Sequence, residues 1–149
     1  MANVFDVAEY ILGSLGTSIT TMKLQKLVYY CQAWSLAWDD KPLFENDFEA
    51  WANGPVCREL FNAHRGLFVI EKGRFEGFAS KEEFTETEIE TIDAVIDFYG
   101  DKDPHWLSEL THKEDPWKFS RGNCSDLDYC DNVIDKSVMQ DYYSRMVYG

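Results

Sequence analysis

His105, His112, Cys124 and Cys130 are of the types that bind transition metals, and their spacing decides what they can do. Zinc motifs place paired cysteines two to four residues apart, whereas Cys124 and Cys130 form a Cys-x5-Cys pair. They read as helix histidines and loop thiols, so no metal is expected. Asp126, Asp128 and Asp131 suggest the start of a calcium loop. Such a loop needs Gly at its sixth position and Glu at its twelfth, where Asp131 and Ser137 stand. Nucleophilic catalysis needs a Cys or Ser beside a base. The histidines are His64, His105 and His112, and none lies in a nucleophile elbow or a cysteine-protease signature. Gly54-Pro55 is not a phosphate-binding loop, and the glutamates of 82–93 fall at helical spacing as a hydrated face. No catalytic residue and no cofactor are therefore expected. The enzymatic alternative is a small hydrolase-like activity that uses His112 with a carboxylate from another helix.

The elements that would carry these groups are mostly helical. Leu24, Leu27, Val28, Cys31, Ser35 and Trp38 recur at three and four residues. Tyr29, Tyr30, Ala33, Trp34, Leu36 and Ala37 fill the other faces, so residues 21–38 read as a central helix buried on most sides. Thr20 or Thr21 caps it. Val4, Val7, Ala8, Ile11, Leu12 and Leu15 give a first helix, with Asn3 as cap and Gly13 or Gly16 near its end. Phe48–Trp51 reads as a short strand. Pro55 is placed to open a helix running to about Arg65, with Val56, Leu60 and Phe61 inward. Leu67–Ser80 is either a hairpin or an irregular loop packing its phenylalanines. Thr85 to Glu88 is a capping box, followed by an inward stripe of Ile89, Ile92, Ile96 and Tyr99. Asp103-Pro104 opens a helix carrying Trp106, Leu107 and Leu110, which Pro116 stops. Ser137 caps a last helix with Val138, Tyr142 and Met146 in line. The expected fold is mainly α: a single compact domain over 1–149, with five to six helices around helix 21–38 and at most a small two- or three-stranded β element.

Two blocks carry a family resemblance. The first is Lys23–Trp38 followed by Pro42-Leu43-Phe44 and Glu49–Val56; the second is Leu107-Ser108-Glu109-Leu110-Thr111-His112, closing on Pro116-Trp117. Across about residues 4–146 the chain resembles the Panacea domain family, the phage-associated GepA-like and SocA-like proteins. Leu24, Lys26, Leu27, Tyr30, Trp34, Gly54, Pro55, Thr111 and Pro116 are the motif positions, expected to be structural. Gly66–Lys81 and Ser120–Asn132 match no family pattern. The resemblance implies an antitoxin of phage, prophage or other mobile-element origin that binds and neutralises a co-encoded protein toxin. One branch of the family acts as a proteolytic adaptor, which implies an AAA+ protease as a second partner.

Composition bounds the partners. The chain has 149 residues, a net charge of −13, 45% apolar and 15% aromatic residues, which excludes a disordered chain. Residues 1–81 hold 10 acids against 8 bases, and residues 82–149 hold 17 against 6. Such a surface repels phosphate backbones and suits either solubility or a basic protein partner. Trp51, Arg58, His112 and Trp117 are candidate partner contacts, being of types common at interface hot spots. For His112 and Trp117 the alternative is structural: His112 at a helix C-terminus, and Trp117 as a plug docking the chain on the core. Lys23 and Lys26 are expected to snorkel, or else to pair with acids of the second half. Cys31 and Cys57 are expected to be buried thiols. With no signal sequence, no membrane-length apolar run and no disulfide framework, a cytoplasmic location is expected.

Overall fold

The computed structural model describes residues 1–125 and 128–148. Asn3 starts α1 (Val4–Leu15) through a capping box, its side chain accepting from the Asp6 N–H while Asp6 accepts from the Asn3 N–H. β1 (Ile19–Thr20) leads into α2 (Thr21–Asp39), which Thr20 caps by accepting from the Lys23 N–H at 3.1 Å. β2 (Phe48–Trp51) and β3 (Gly54–Val56) form a hairpin, and α3 (Arg58–His64) follows. After β4 (Val69–Ile70) come α4 (Glu86–Tyr99), α5 (Pro104–Lys113), α6 (Asp115–Ser120), β5 (Val133–Ile134) and α7 (Lys136–Tyr148). The protein is mainly helical, as its periodicity predicts.

α2 is the axis of the core. It packs against α1, α4, α5, α7 and β3, and its residues 24–37 are all buried. Val7, Ile11 and Leu12 of α1 meet it on one side, and Ile92, Val95 and Tyr99 of α4 on another. Two small antiparallel sheets flank the helices: β1 with β4, and a three-stranded sheet in the order β3-β2-β5.

Three local expectations are corrected, and the open choice over 67–80 falls to the loop that packs its phenylalanines. Pro55 opens no helix; it lies in β3 opposite Ala50, and α3 begins only after Cys57. β3 is an edge strand, where a residue without an N–H removes no needed ladder bond. Pro116 does not merely stop α5. Glu114, extended at φ −96 and ψ 141, ends it, and Pro116 then sits in the first turn of α6, a seventh helix. In α7 the buried positions are Met139 and Tyr143, while Val138 and Met146 are exposed. The stripe lies one residue further on because the Tyr143 hydroxyl has a buried partner, Glu114, that hydropathy does not register. The 67–80 segment pairs with β1 rather than with itself, so it is not a self-contained hairpin. The turns that follow bury Phe75 and set Phe78 against Phe5 at 5.1 Å.

Candidate functional site

Lys26, Ser108, Trp117 and Arg121 converge on the backbone of the β2–β3 hairpin. Its carbonyls are taken one after another by side chains from three helices and the end of α6. Arg121 Nη1 donates to Ala50 O at 2.8 Å, Trp117 Nε1 to Trp51 O at 2.7 Å, Ser108 Oγ to Asn53 O at 2.5 Å, and Lys26 Nζ to Pro55 O at 3.2 Å. Buried carbonyls need such partners, and the short ladders of β3, β2 and β5 do not supply them all. Gly54 is required at the centre of this clamp. Its φ is +116, and a Cβ there would stand 2.6 Å from Lys26 Cε and 2.9 Å from Thr111 Oγ1.

Lys26 corrects another expectation. It does not snorkel, and among the described residues it pairs with no acid: the whole side chain is buried, 1% exposed, and burial lowers its pKa to about 7. Lys23, half-exposed, does lie near Asp101 and Asp103, although burial outweighs them and lowers its pKa.

The candidate contact residues fall on two sides of the hairpin. Trp51 and Arg58 stand together on the outer side, the guanidinium 5.2 Å from the Trp51 ring. Arg58 is held by Glu49 through a two-pronged bond of 3.1 and 2.9 Å and donates to the Tyr129 hydroxyl at 2.9 Å. Burial acts to raise the Glu49 pKa, but the hydrogen bonds from Arg58 and Trp51 prevail and hold it low. Trp117, 4% exposed, lies behind the hairpin with the His112 ring 4.1 Å away and Arg121 over its face at 5.0 Å.

Several polar groups in the core gave little signal in the sequence. Glu114 is buried and accepts hydrogen bonds of 2.8 Å from both Tyr30 and Tyr143. Burial raises its pKa against the opposing effect of those two bonds. Tyr143 also meets the Tyr29 hydroxyl at 3.2 Å, Trp34 Nε1 donates to Tyr99 at 3.0 Å, and Tyr99 stacks on Tyr30 at 4.1 Å. Gln25 and Gln32, seven residues apart on α2, each grip a loop with both ends of the amide. Gln25 holds Cys57 N–H and C=O, and Gln32 holds Leu43 N–H and Phe44 C=O. The one available clue was that a glutamine inside an all-buried helix must find partners.

The metal-type residues are not gathered. His105 pairs with Glu109 on the exposed side of α5, and Cys124 and Cys130 are free thiols, Cys130 Sγ donating to Arg121 O at 3.8 Å. Among the described residues no group of three or more His, Cys, Asp or Glu is placed to hold a metal ion, and Asp126 lies outside them. Cys31 and Cys57 are buried, and burial raises both thiols, Cys57 to about 12. Among the described residues no helix is long and apolar enough to cross a membrane.

A second, mostly apolar opening lies elsewhere. A groove of ≈510 Å³ runs between α2, α4, α5 and α7, walled by Trp34, Trp38, Val95, Phe98, Trp106 and Met146, with Glu114 at its edge. Trp38 is 41% exposed, Phe98 60%, Trp106 40% and Met146 57%. Asp97, Asp101, Asp103 and Glu109 are exposed along the same two helices and the turn joining them.

Neither a curated protein nor a solved structure matches the chain. A family model described as "Antitoxin SocA-like, Panacea domain" matches residues 24–118, from the first turn of α2 through Trp117 in α6. That span covers well over half of the sequence and contains the hairpin with most of the side chains that clamp it, so the chain belongs to the SocA-like antitoxin, Panacea domain family.

Proposed function

We propose that this protein is an antitoxin that binds and neutralises a co-encoded protein toxin by holding it in the aromatic groove between α2, α4, α5 and α7. The observation that carries this reading is the grouping of Trp38, Phe98, Trp106 and Met146, all substantially exposed, around one groove. Large apolar side chains clustered in this way mark protein interaction sites. The acids exposed on α4, α5 and the turn joining them favour one occupant: a segment of the toxin with an apolar face flanked by lysine or arginine. Trp51 and Arg58 form a second, smaller contact at the hairpin edge, and Trp117 and His112 support it from behind.

The test is co-expression of the chain with its neighbouring toxin gene. Phe98→Glu and Met146→Glu each place a charge in the groove at an exposed position, 60% and 57% open to solvent. Each variant is expected to keep the parental Tm and to lose growth rescue and co-purification of the toxin. Full rescue by both variants would overturn the groove as the binding site. Following toxin half-life in the same cells separates occlusion, in which the toxin persists, from delivery to an AAA+ protease, in which it disappears with the antitoxin present.

A further inference from the structure

A different hollow, of ≈450 Å³, opens on the first half of α2, between that helix, α3 and the hairpin. Trp51, Phe61, Val56 and Tyr129 give it an aromatic and apolar wall, and Lys26 lies at its polar side with Gln25 and His64. The Lys26 ammonium has three protons to donate, and its hydrogen bond to Pro55 O uses one. Among the described residues Lys26 forms no ion pair. A buried cation without an anion is unfavourable, and among the described residues nothing nearby supplies one. Glu49 is taken by Arg58 and Trp51. Gln25 is taken by the Cys57 backbone and by His64, whose Nε2 lies 3.0 Å from the Gln25 amide nitrogen.

We propose that this hollow binds a small aromatic carboxylate, its carboxylate on Lys26 and its ring against Trp51, Phe61 and Tyr129. A single lysine matches a monoanion; a phosphate dianion would need further donors, and a chain of net charge −13 opposes it. The volume fits a ligand of one or two rings.

The groups that face Lys26 are His64 from α3, Thr111 from α5, and Tyr129, with the Arg58–Glu49 pair on the outer flank. His64 is held below its usual value by burial and by Lys26, so it stays neutral above pH 7. The pH dependence of binding is then set by Lys26. Its pKa in the free protein is about 7, and a bound carboxylate raises it. Above pH 7 binding must take up a proton, so affinity falls by up to about tenfold per pH unit.

The experiment titrates the full chain with phenylacetate and with phenylacetamide, its uncharged analogue, by calorimetry and amide NMR. Phenylacetate is expected to bind saturably, to shift Trp51 and Phe61, to outbind the amide at least tenfold, and to weaken from pH 7 to pH 9. Lys26→Met is expected to remove the preference for the acid. Should that variant fail to fold, Phe61→Ala, which leaves Lys26 in place, is expected to weaken phenylacetate binding at least tenfold. Equal affinity for acid and amide, a flat pH profile, or shifts confined to other surfaces would overturn the proposal.

Discussion

Glu114 shows how one side chain ties stability to pH. Its pKa is raised in the folded protein, chiefly by burial, so the native state binds this proton more tightly than the unfolded chain does. Below the ordinary glutamate value of 4.5 both states are protonated and the group contributes nothing. As pH rises from there towards the raised value, the native state loses stability relative to the unfolded one. Glu114→Gln cannot ionise, so the stability of wild type relative to this variant is expected to fall between pH 4.5 and neutrality; urea unfolding of both proteins across that range measures it. Trp117→Phe keeps the ring but leaves Trp51 O without its donor, a loss of about 1–3 kcal/mol readable from the same unfolding curves. The chemistry of these residues was only partly legible in the sequence. Lys26 lies off the apolar stripe of its helix, and a lysine there ordinarily snorkels. What keeps it inside is the Pro55 carbonyl, 29 residues away, which no helical period can reveal.

Among the elements, α2 was the most legible because small and apolar residues fill its faces from Leu27 to Trp38, interrupted only by Gln32, and leave little choice but burial on every side. Leu27, fully buried at its centre, is expected to cost about 2–5 kcal/mol as Leu27→Ala, measured as a lowered denaturation midpoint. The caps of α1, α2 and α4 were equally readable, since Asn3, Thr20 and Thr85 act through bonds only three residues long. The hairpin was not, because its second strand is three residues with a proline, and it is defined by side chains far along the sequence. Gly54→Ala tests that clamp. It adds a methyl against Lys26 and Thr111 at a left-handed φ, and is expected to destabilise by at least about 2 kcal/mol. An unchanged midpoint would mean that the hairpin can move away from α5 without cost. The candidate site divides in the same way. Aromatic and arginine types singled out Trp51 and Arg58 as candidates, but the groove between α2, α4, α5 and α7 depends on how four helices meet.

For the molecule as a whole, the excess of acid in residues 82–149 is partly spread by the fold. Lys136 reaches Asp47 at 2.7 Å, and Lys23 lies near Asp101 and Asp103, so bases of each half meet acids of the other. With the proposed function, the remaining negative surface is expected to steer a basic toxin. The association rate with the toxin is expected to fall steeply as salt rises while dissociation changes less, and stopped-flow mixing at several ionic strengths measures both. A flat association rate would leave recognition to the aromatic groove. The two glutamines of α2 have a consequence of another kind. They bind the Leu43 and Cys57 amides, which belong to no helix or strand ladder, at 2.8 and 2.9 Å. Those two protons cannot meet solvent unless α2 itself lets go. In deuterated buffer Leu43 and Cys57 should therefore exchange as slowly as the amides in the middle of α2, and on the same clock as global opening, while neighbouring loop positions exchange within the dead time.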